Sequence, residues 1–130
     1  MIGIDTNVLV RFLVQDDPDQ SARAAKAFER LTASDPGYLT TVVLAETYWV
    51  LTRAYKFSVD EVLAALADVI ATEQIAVQDV ATATAAVESA RAGADFADAL
   101  ISSACAERGC RSVLSFDGRA QKSLGFTEPN

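Results

Sequence analysis

Short apolar runs alternate along the chain with longer segments in which apolar residues recur at helical spacing. The runs predict four short strands, the first and last of them buried, at 1–5, 38–41, 75–78 and 112–116. The longer segments predict helices at 7–14, 19–33, 42–55, 58–72, 79–92, 95–108 and 118–124. This alternation predicts one α/β domain over residues 1–130 with a mostly parallel sheet, whose functional crevice lies beyond the carboxyl ends of the strands.

Composition narrows the class of protein. Hydrophobic residues make up 51% of the chain, enough for a core without cross-links. The 11 basic and 18 acidic side chains give a net charge of −7. This charge argues against a protein that binds nucleic acid by electrostatic attraction alone, but not against nucleic acid as a substrate. No apolar run approaches the ~18 residues of a membrane span. No secretory signal is visible at the start, so we expect a cytoplasmic protein without a membrane.

Residue types that are absent or rare exclude several kinds of site. The chain has no histidine, which removes Ser-His-Asp and Cys-His catalysis, His-ligated zinc and nucleases that use imidazole. Its two cysteines, Cys105 and Cys110, cannot form a four-thiolate metal site. Their spacing at a predicted helix end favours small buried hydrophobic residues in a reducing cytoplasm over a disulfide.

Isolated acidic residues in apolar surroundings are the strongest chemical signal. Asp5 is the only charged residue in 1–10, Glu46 the only one in 39–51 and Asp98 the only one in 96–106, while Asp117 follows the last predicted strand. Acidic side chains are almost never buried unless they are paired or bind a metal ion. We therefore expect the fold to bring these four carboxylates into one site.

Each of these acids also has a purely structural interpretation. Asp5 can cap the helix that follows it, and Asp117 can be a turn residue within FDGR. Glu46 can pair with Arg53 two helical turns away. Asp98 can join Asp95 in a capping arrangement.

A cluster of carboxylates without histidine or thiolate has a definite chemistry. Like charges a few ångströms apart cannot all ionise without a cation, and ligands that are all oxygen select Mg²⁺ or Mn²⁺ over Zn²⁺. The natural reaction of such a site is metal-assisted hydrolysis of a phosphodiester, with the carboxylates as ligands and one of them as a possible water-orienting base.

Four segments carry a resemblance to a known family. MIGIDTNVLVRFL, AET, GADFADALISSACAERGC and VLSFD resemble the PIN-domain family, and the match is closest to the VapC-type toxins of bacterial toxin–antitoxin pairs. The resemblance covers essentially the whole chain. It implies a three-layer α/β/α sandwich with a central parallel sheet, Mg²⁺- or Mn²⁺-dependent endoribonuclease activity, growth inhibition, a cognate antitoxin partner and a homodimer.

The resemblance also assigns residues. Its catalytic and metal-ligating acids fall on Asp5, Glu46, Asp98 and Asp117. Asp95 matches an auxiliary acid near the metal, although an N-terminal helix cap explains it equally well. Asn7 and Ser115 match small polar positions that hydrogen-bond the acids or the attacking water, and both are also ordinary helix-start and strand-end residues.

Contacts with substrate and partner are less constrained by the sequence. Arg11 and Arg119 are candidates to bind RNA phosphates, with a solvated surface as the alternative. Tyr48, Trp49 and Tyr55 lie on an apolar helix and are expected in the core, or in a groove for a helix of the antitoxin. Two other functions stay open: a PIN-scaffold nuclease in RNA processing or DNA cleavage, and a catalytically silent interaction module.

Overall fold

Three short parallel strands form the sheet of the computed structural model, which describes residues 1–130. β1 (Ile2–Gly3) pairs with β2 (Gly37–Leu39), and β2 pairs with β3 (Ile75–Val77). β2 and β3 alternate buried and half-buried residues, as expected for strands inside a layered α/β fold. The α/β class and the parallel sheet are therefore confirmed.

The chain divides into two compact units, Met1–Asp79 and Val80–Asn130. The first unit contains the sheet and the helices α1 (Thr6–Val14), α2 (Pro18–Glu29), α3 (Thr41–Trp49) and α4 (Val59–Ala71). The second contains α5 (Val80–Arg91), α6 (Phe96–Glu107) and α7 (Gly118–Leu124). None of these helices is both long and apolar enough to cross a membrane. A single domain over 1–130 stays a prediction.

Polar residues fix where the helices of the first unit begin. Pro18 is the first residue of α2, and the Asp17 carboxylate accepts a hydrogen bond from the Gln20 amide at 3.0 Å. Ser58 and Glu61 form a capping box at the start of α4, in which the Glu61 amide donates to the Ser58 hydroxyl at 3.1 Å.

The predicted helix over 42–55 changes its winding partway. α3 ends at Trp49, and Val50–Ala54 form a π-helical turn in which the Tyr55 amide donates to the Val50 carbonyl at 3.2 Å. Such turns insert one residue and rotate the side chains that follow. Tyr48 is buried as expected for a core residue, whereas Trp49 is 60% exposed, so core packing is wrong for that residue.

Each unit has its own apolar centre. In the first unit Leu9, Leu39, Leu44, Leu63 and Leu66 are almost completely buried, so α1, α3 and α4 share a core with β2. In the second unit α5 packs against α6, where small residues such as Ala86 and Ala99 allow the helices to approach closely and Phe96 fills the space between. Burial of each of the large side chains contributes about 1.5–3 kcal/mol.

Both terminal strand predictions need correction. β1 is an edge strand and not a buried one, and Ile2 is 62% exposed. The segment 112–116 is not a strand but one parallel bridge between Leu114 and Thr127. The segment forms no longer ladder because its backbone pairs only with Thr127 of the C-terminal segment, and the side chains of Leu114 and Phe116 are exposed.

Candidate functional site

Two of the four predicted acids are linked in the first unit by Thr6. Asp5 lies two residues after the end of β1 and is the N-cap of α1, where its Oδ1 accepts a hydrogen bond from the Thr6 amide at 2.8 Å. The Thr6 hydroxyl donates to Oε1 of Glu46, on α3, also at 2.8 Å. Thr6 is only 8% exposed, so the fold holds it in place and, through it, both carboxylates. The first unit therefore brings Asp5 and Glu46 together.

The carboxylates of Asp5 and Glu46 are exposed, contrary to the expectation of acids buried among apolar residues. Asp5 lies at a strand end, and Glu46 lies on the face of α3 that also exposes Val42 and Trp49. Glu46 forms its contact with Thr6 rather than an ion pair with Arg53. Within the unit each carboxylate uses one oxygen in a hydrogen bond, which leaves the other for an external ligand.

A second group of acids begins at the start of α6. Asp95 is the N-cap of this helix, and its Oδ2 accepts a hydrogen bond from the Asp98 amide at 3.1 Å. Asp98 is the third residue of the helix and is half-buried. The capping interpretation of Asp95 is therefore correct. The cap uses only one of its two carboxylate oxygens, and the role of Asp95 as an auxiliary acid stays a prediction.

Asp117 occupies the same kind of position at the start of α7. Its Oδ1 accepts hydrogen bonds from the Arg119 amide at 2.9 Å and the Ala120 amide at 3.2 Å. The Ser115 hydroxyl accepts from the Asp117 amide at 3.0 Å, and the Ser115 carbonyl accepts from the Gln121 side chain at 2.8 Å. Ser115 thus contacts the backbone of Asp117 and fixes the orientation of the segment that carries this carboxylate.

The acids of the second unit interact electrostatically. Burial, followed by the negative charges of Asp95 and Asp117, raises the pKa of Asp98, and the positive charge of Arg119 opposes this shift. The Arg119 guanidinium donates to the Gly93 carbonyl, just before α6, at 3.0 Å. The carboxyl group of Asp98 therefore lies within reach of the charges of Asp95, Asp117 and Arg119.

The predicted phosphate ligand Arg11 donates hydrogen bonds to three neighbouring side chains. Its Nη1 donates to both carboxylate oxygens of Asp16 at 3.0 and 3.1 Å and to the Tyr55 hydroxyl at 2.8 Å, while Nε donates to Gln20 at 2.7 Å. The Tyr55 hydroxyl in turn donates to Asp16 at 2.8 Å. The hydrogen bond from Tyr55, with that from Arg11, lowers the pKa of Asp16. This network joins the end of α1 to the π-helical turn.

Asn7, the remaining predicted accessory residue, is exposed at the start of α1. It lines a groove of about 410 Å³ between α1 and α2, together with Val8, Arg11, Gln20 and Arg23. Sequence reasoning gave Thr6 no site role and expected Tyr55 in the core or in a groove for the antitoxin, whereas their hydroxyls bind Glu46 and Asp16. The position of Thr6, directly after the candidate ligand Asp5, could have indicated a supporting role. The partners of Tyr55 could not be inferred, because they depend on the π-helical turn.

The donor atoms suit a hard divalent cation. All are carboxylate oxygens, and such oxygens are the ligands that Mg²⁺ and Mn²⁺ prefer. The structure contains no group of three or more His, Cys, Asp or Glu side chains placed to hold a metal ion. The convergence of all four acids stays a prediction.

The sequence of the chain was compared with curated proteins and with models of protein families. No curated protein matches the chain in sequence. A family model described as PIN domain matches residues 2–126, a range that includes both groups of acids. PIN domains are generally nucleases and typically use divalent metals. Because the match covers nearly the entire chain, the protein belongs to the PIN-domain family.

Proposed function

We propose that this PIN domain is a metal-dependent endoribonuclease, the VapC-type toxin of a type II toxin–antitoxin system. In this proposal it hydrolyses RNA phosphodiester bonds with Mg²⁺ or Mn²⁺ held by Asp5, Glu46, Asp98 and Asp117. The observation that carries the proposal is the family match over residues 2–126, in a chain that has carboxylates with an unused oxygen after β1, on α3 and before α7.

The proposal gives the four acids the role of ligands. A divalent cation held by these residues would supply Lewis-acid activation of the phosphodiester and of the attacking water. Burial, followed by the charges of Asp95 and Asp117, raises the pKa of Asp98, and a cation would stabilise the charged form of such a carboxylate. One of the four acids also orients the attacking water, as the chemistry of paired carboxylates allows.

Neighbouring residues hold the ligands in position. Thr6 fixes the orientation of Glu46 through its hydroxyl and of Asp5 through its amide. Ser115 restrains the backbone of Asp117. Supporting hydrogen bonds of this kind orient metal ligands and typically change metal affinity about 10–100-fold when removed. Arg119, whose charge reaches Asp98, is the better placed of the two arginines to meet a phosphate, because Arg11 is bound by Asp16 and Tyr55.

The proposal includes partners and a location. The partners are an RNA substrate, a cognate antitoxin protein and a second copy of the chain, and the location is the cytoplasm. The exposed apolar residues Val42 and Trp49 support an antitoxin contact, since they flank Glu46 on α3 and leave apolar surface beside a proposed ligand.

A cleavage assay with purified protein tests the enzymatic part. RNA should be cut in the presence of Mg²⁺ or Mn²⁺, and EDTA should stop the reaction. Asp5→Asn and Asp98→Asn should each reduce the rate at least about 10²-fold, by analogy with other lost electrostatic contacts in active sites. Asp68→Asn, a change at an exposed acid of α4, is the matched control and should retain full activity. Cleavage that persists in EDTA would rule out the metal mechanism.

Growth measurements test the toxin role separately. Expression of the chain alone in a bacterial host should slow growth, and Asp5→Asn should remove the effect at equal protein level. Co-expression with the product of an adjacent small reading frame should restore growth. A catalytically active chain that leaves growth unchanged would instead favour an RNA-processing nuclease.

A further inference from the structure

The end of α6 brings the two cysteines of the chain together. α6 closes with a Schellman motif: the Cys110 amide donates to the Cys105 carbonyl at 3.0 Å, and the Gly109 amide donates to the Ala106 carbonyl at 3.0 Å. Gly109 has a φ of +82°, the left-handed conformation that this motif requires. In a Schellman motif the two residues joined by the longer-range bond usually have side chains in contact. Here these two residues are both cysteines.

The surroundings of the two thiols differ. Cys110 is exposed and Cys105 is half-buried, so the expectation of two buried hydrophobic residues is wrong. Both line one cavity of about 160 Å³ that also contacts Ser102 and Arg111. Burial, followed by the neighbouring Cys110 thiol, raises the pKa of the Cys105 thiol, as expected for two side chains that line the same cavity. An oxidant therefore meets Cys110 first, with Cys105 next to it.

We propose that Cys105 and Cys110 form a reversible intramolecular disulfide on exposure to a hydroperoxide, so that the end of α6 is a redox modification site separate from the proposed nuclease centre. The Cys110 thiolate attacks the peroxide oxygen, the O–O bond breaks, and an alcohol leaves with a proton from solvent. The resulting sulfenic acid of Cys110 is then attacked by the sulfur of Cys105. The S–S bond forms, and the hydroxyl leaves as water with the thiol proton of Cys105.

The overall reaction converts two thiols and one hydroperoxide into a disulfide, an alcohol and water. The backbone bond between Cys105 and Cys110 supports internal pairing over a bond between two chains, because it already holds the two residues next to each other. Their sequence separation of only five positions also keeps the entropic cost of closing the ring small.

Peptide mapping of the oxidised full-length chain tests the proposal. Trypsin cuts after Arg108, so Cys105 and Cys110 fall on different peptides, 92–108 and 109–111. After treatment of dilute protein with hydrogen peroxide, the monomer should lose about 2 Da, the two hydrogen atoms released on disulfide formation. These two peptides should be linked, both thiols should become inaccessible to iodoacetamide together, and dithiothreitol should restore them.

Cys105→Ser supplies the control that separates pairing from simple oxidation. This variant retains the exposed thiol of Cys110, which should accumulate as a sulfenic acid that dimedone traps or as a disulfide between two chains. The wild-type chain should show neither product. The proposal would be overturned by a wild-type chain in which Cys110 is oxidised while Cys105 still reacts with iodoacetamide, by linkage only between chains, or by two thiols that stay reactive.

Discussion

The hydroxyl of Thr6 is the simplest element of the first acidic group to remove. Thr6→Val keeps the size and branching of the side chain and the amide that donates to the Asp5 carboxylate, but it deletes the hydroxyl that donates to Glu46 at 2.8 Å. Glu46 is exposed, so its released oxygen is rehydrated, whereas the added methyl group remains at a site that is 8% exposed. The change therefore isolates one charge-assisted hydrogen bond.

The size of the effect follows from these surroundings. Hydrogen bonds to charged groups contribute about 1.5–3 kcal/mol, and rehydration of the exposed Glu46 brings the loss below this range, to about 1 kcal/mol. For a chain of this size such a loss lowers Tm by about 3–5 °C. Because the lost energy belongs to one pair of residues, it should depend on the presence of the Glu46 carboxylate.

A double-mutant cycle measures that dependence. The free energy of unfolding is determined by urea denaturation for the wild type, Thr6→Val, Glu46→Ala and the double variant. We expect a coupling energy of about 1 kcal/mol between the two sites. A coupling energy near zero, with both single variants destabilised independently, would show that Thr6 acts only through packing and would refute its role in positioning Glu46.

Three further substitutions test other parts of the structure. In metal-free buffer, Asp98→Asn should raise Tm at neutral pH. The pKa of Asp98 is raised in the folded chain, so its charged form lowers the stability of the fold above its ordinary pKa. The gain in Tm should vanish in acid, where Asp98 is protonated, and a lower Tm at neutral pH would contradict this reasoning. Tyr55→Phe should cost about 1 kcal/mol at neutral pH and move the pKa of Asp16 upward, which NMR titration can follow. Since the lowered pKa of Asp16 adds stability that is lost as the pH falls through its folded value, the deficit of Tyr55→Phe should shrink in acid; a constant deficit would show that Tyr55 acts by packing alone. Gly109→Ala should cost about 1 kcal/mol because of its left-handed backbone, whereas Gly118→Ala, in open space at the start of α7, should cost nothing in the same thermal melts.

Helices and their ends were largely predictable because their signals are local. The capping box at Ser58 and Glu61 and the helix end at Gly109 need only a few neighbouring residues to form. The strand prediction for 112–116 was wrong because strand formation depends on a partner that is distant in sequence. Its apolar composition is typical of a buried strand, but a strand also needs a partner of adequate length, and Leu114 pairs only with Thr127.

The candidate site likewise contains some residues whose roles have local sequence signals and others whose roles depend on the tertiary fold. Asp5, Asp95 and Asp117 each precede a helix, and their capping roles could be inferred from the residues that follow them. The contact between Thr6 and Glu46 joins α1 to α3 and has no local signature. The exposure of Cys110 likewise depends on how the chain leaves α6, not on the apolar residues around it in sequence.

Binding of Mn²⁺ measured by calorimetry tests the central proposal, that Asp5, Glu46, Asp98 and Asp117 are ligands of a divalent cation. The informative variants are Asp5→Asn from the first unit and Asp117→Asn from the second, with Asp68→Asn as the control. The account predicts that both variants bind Mn²⁺ at least about 10-fold more weakly than the wild type, while the control is unchanged. Wild-type affinity in either Asp5→Asn or Asp117→Asn would contradict it.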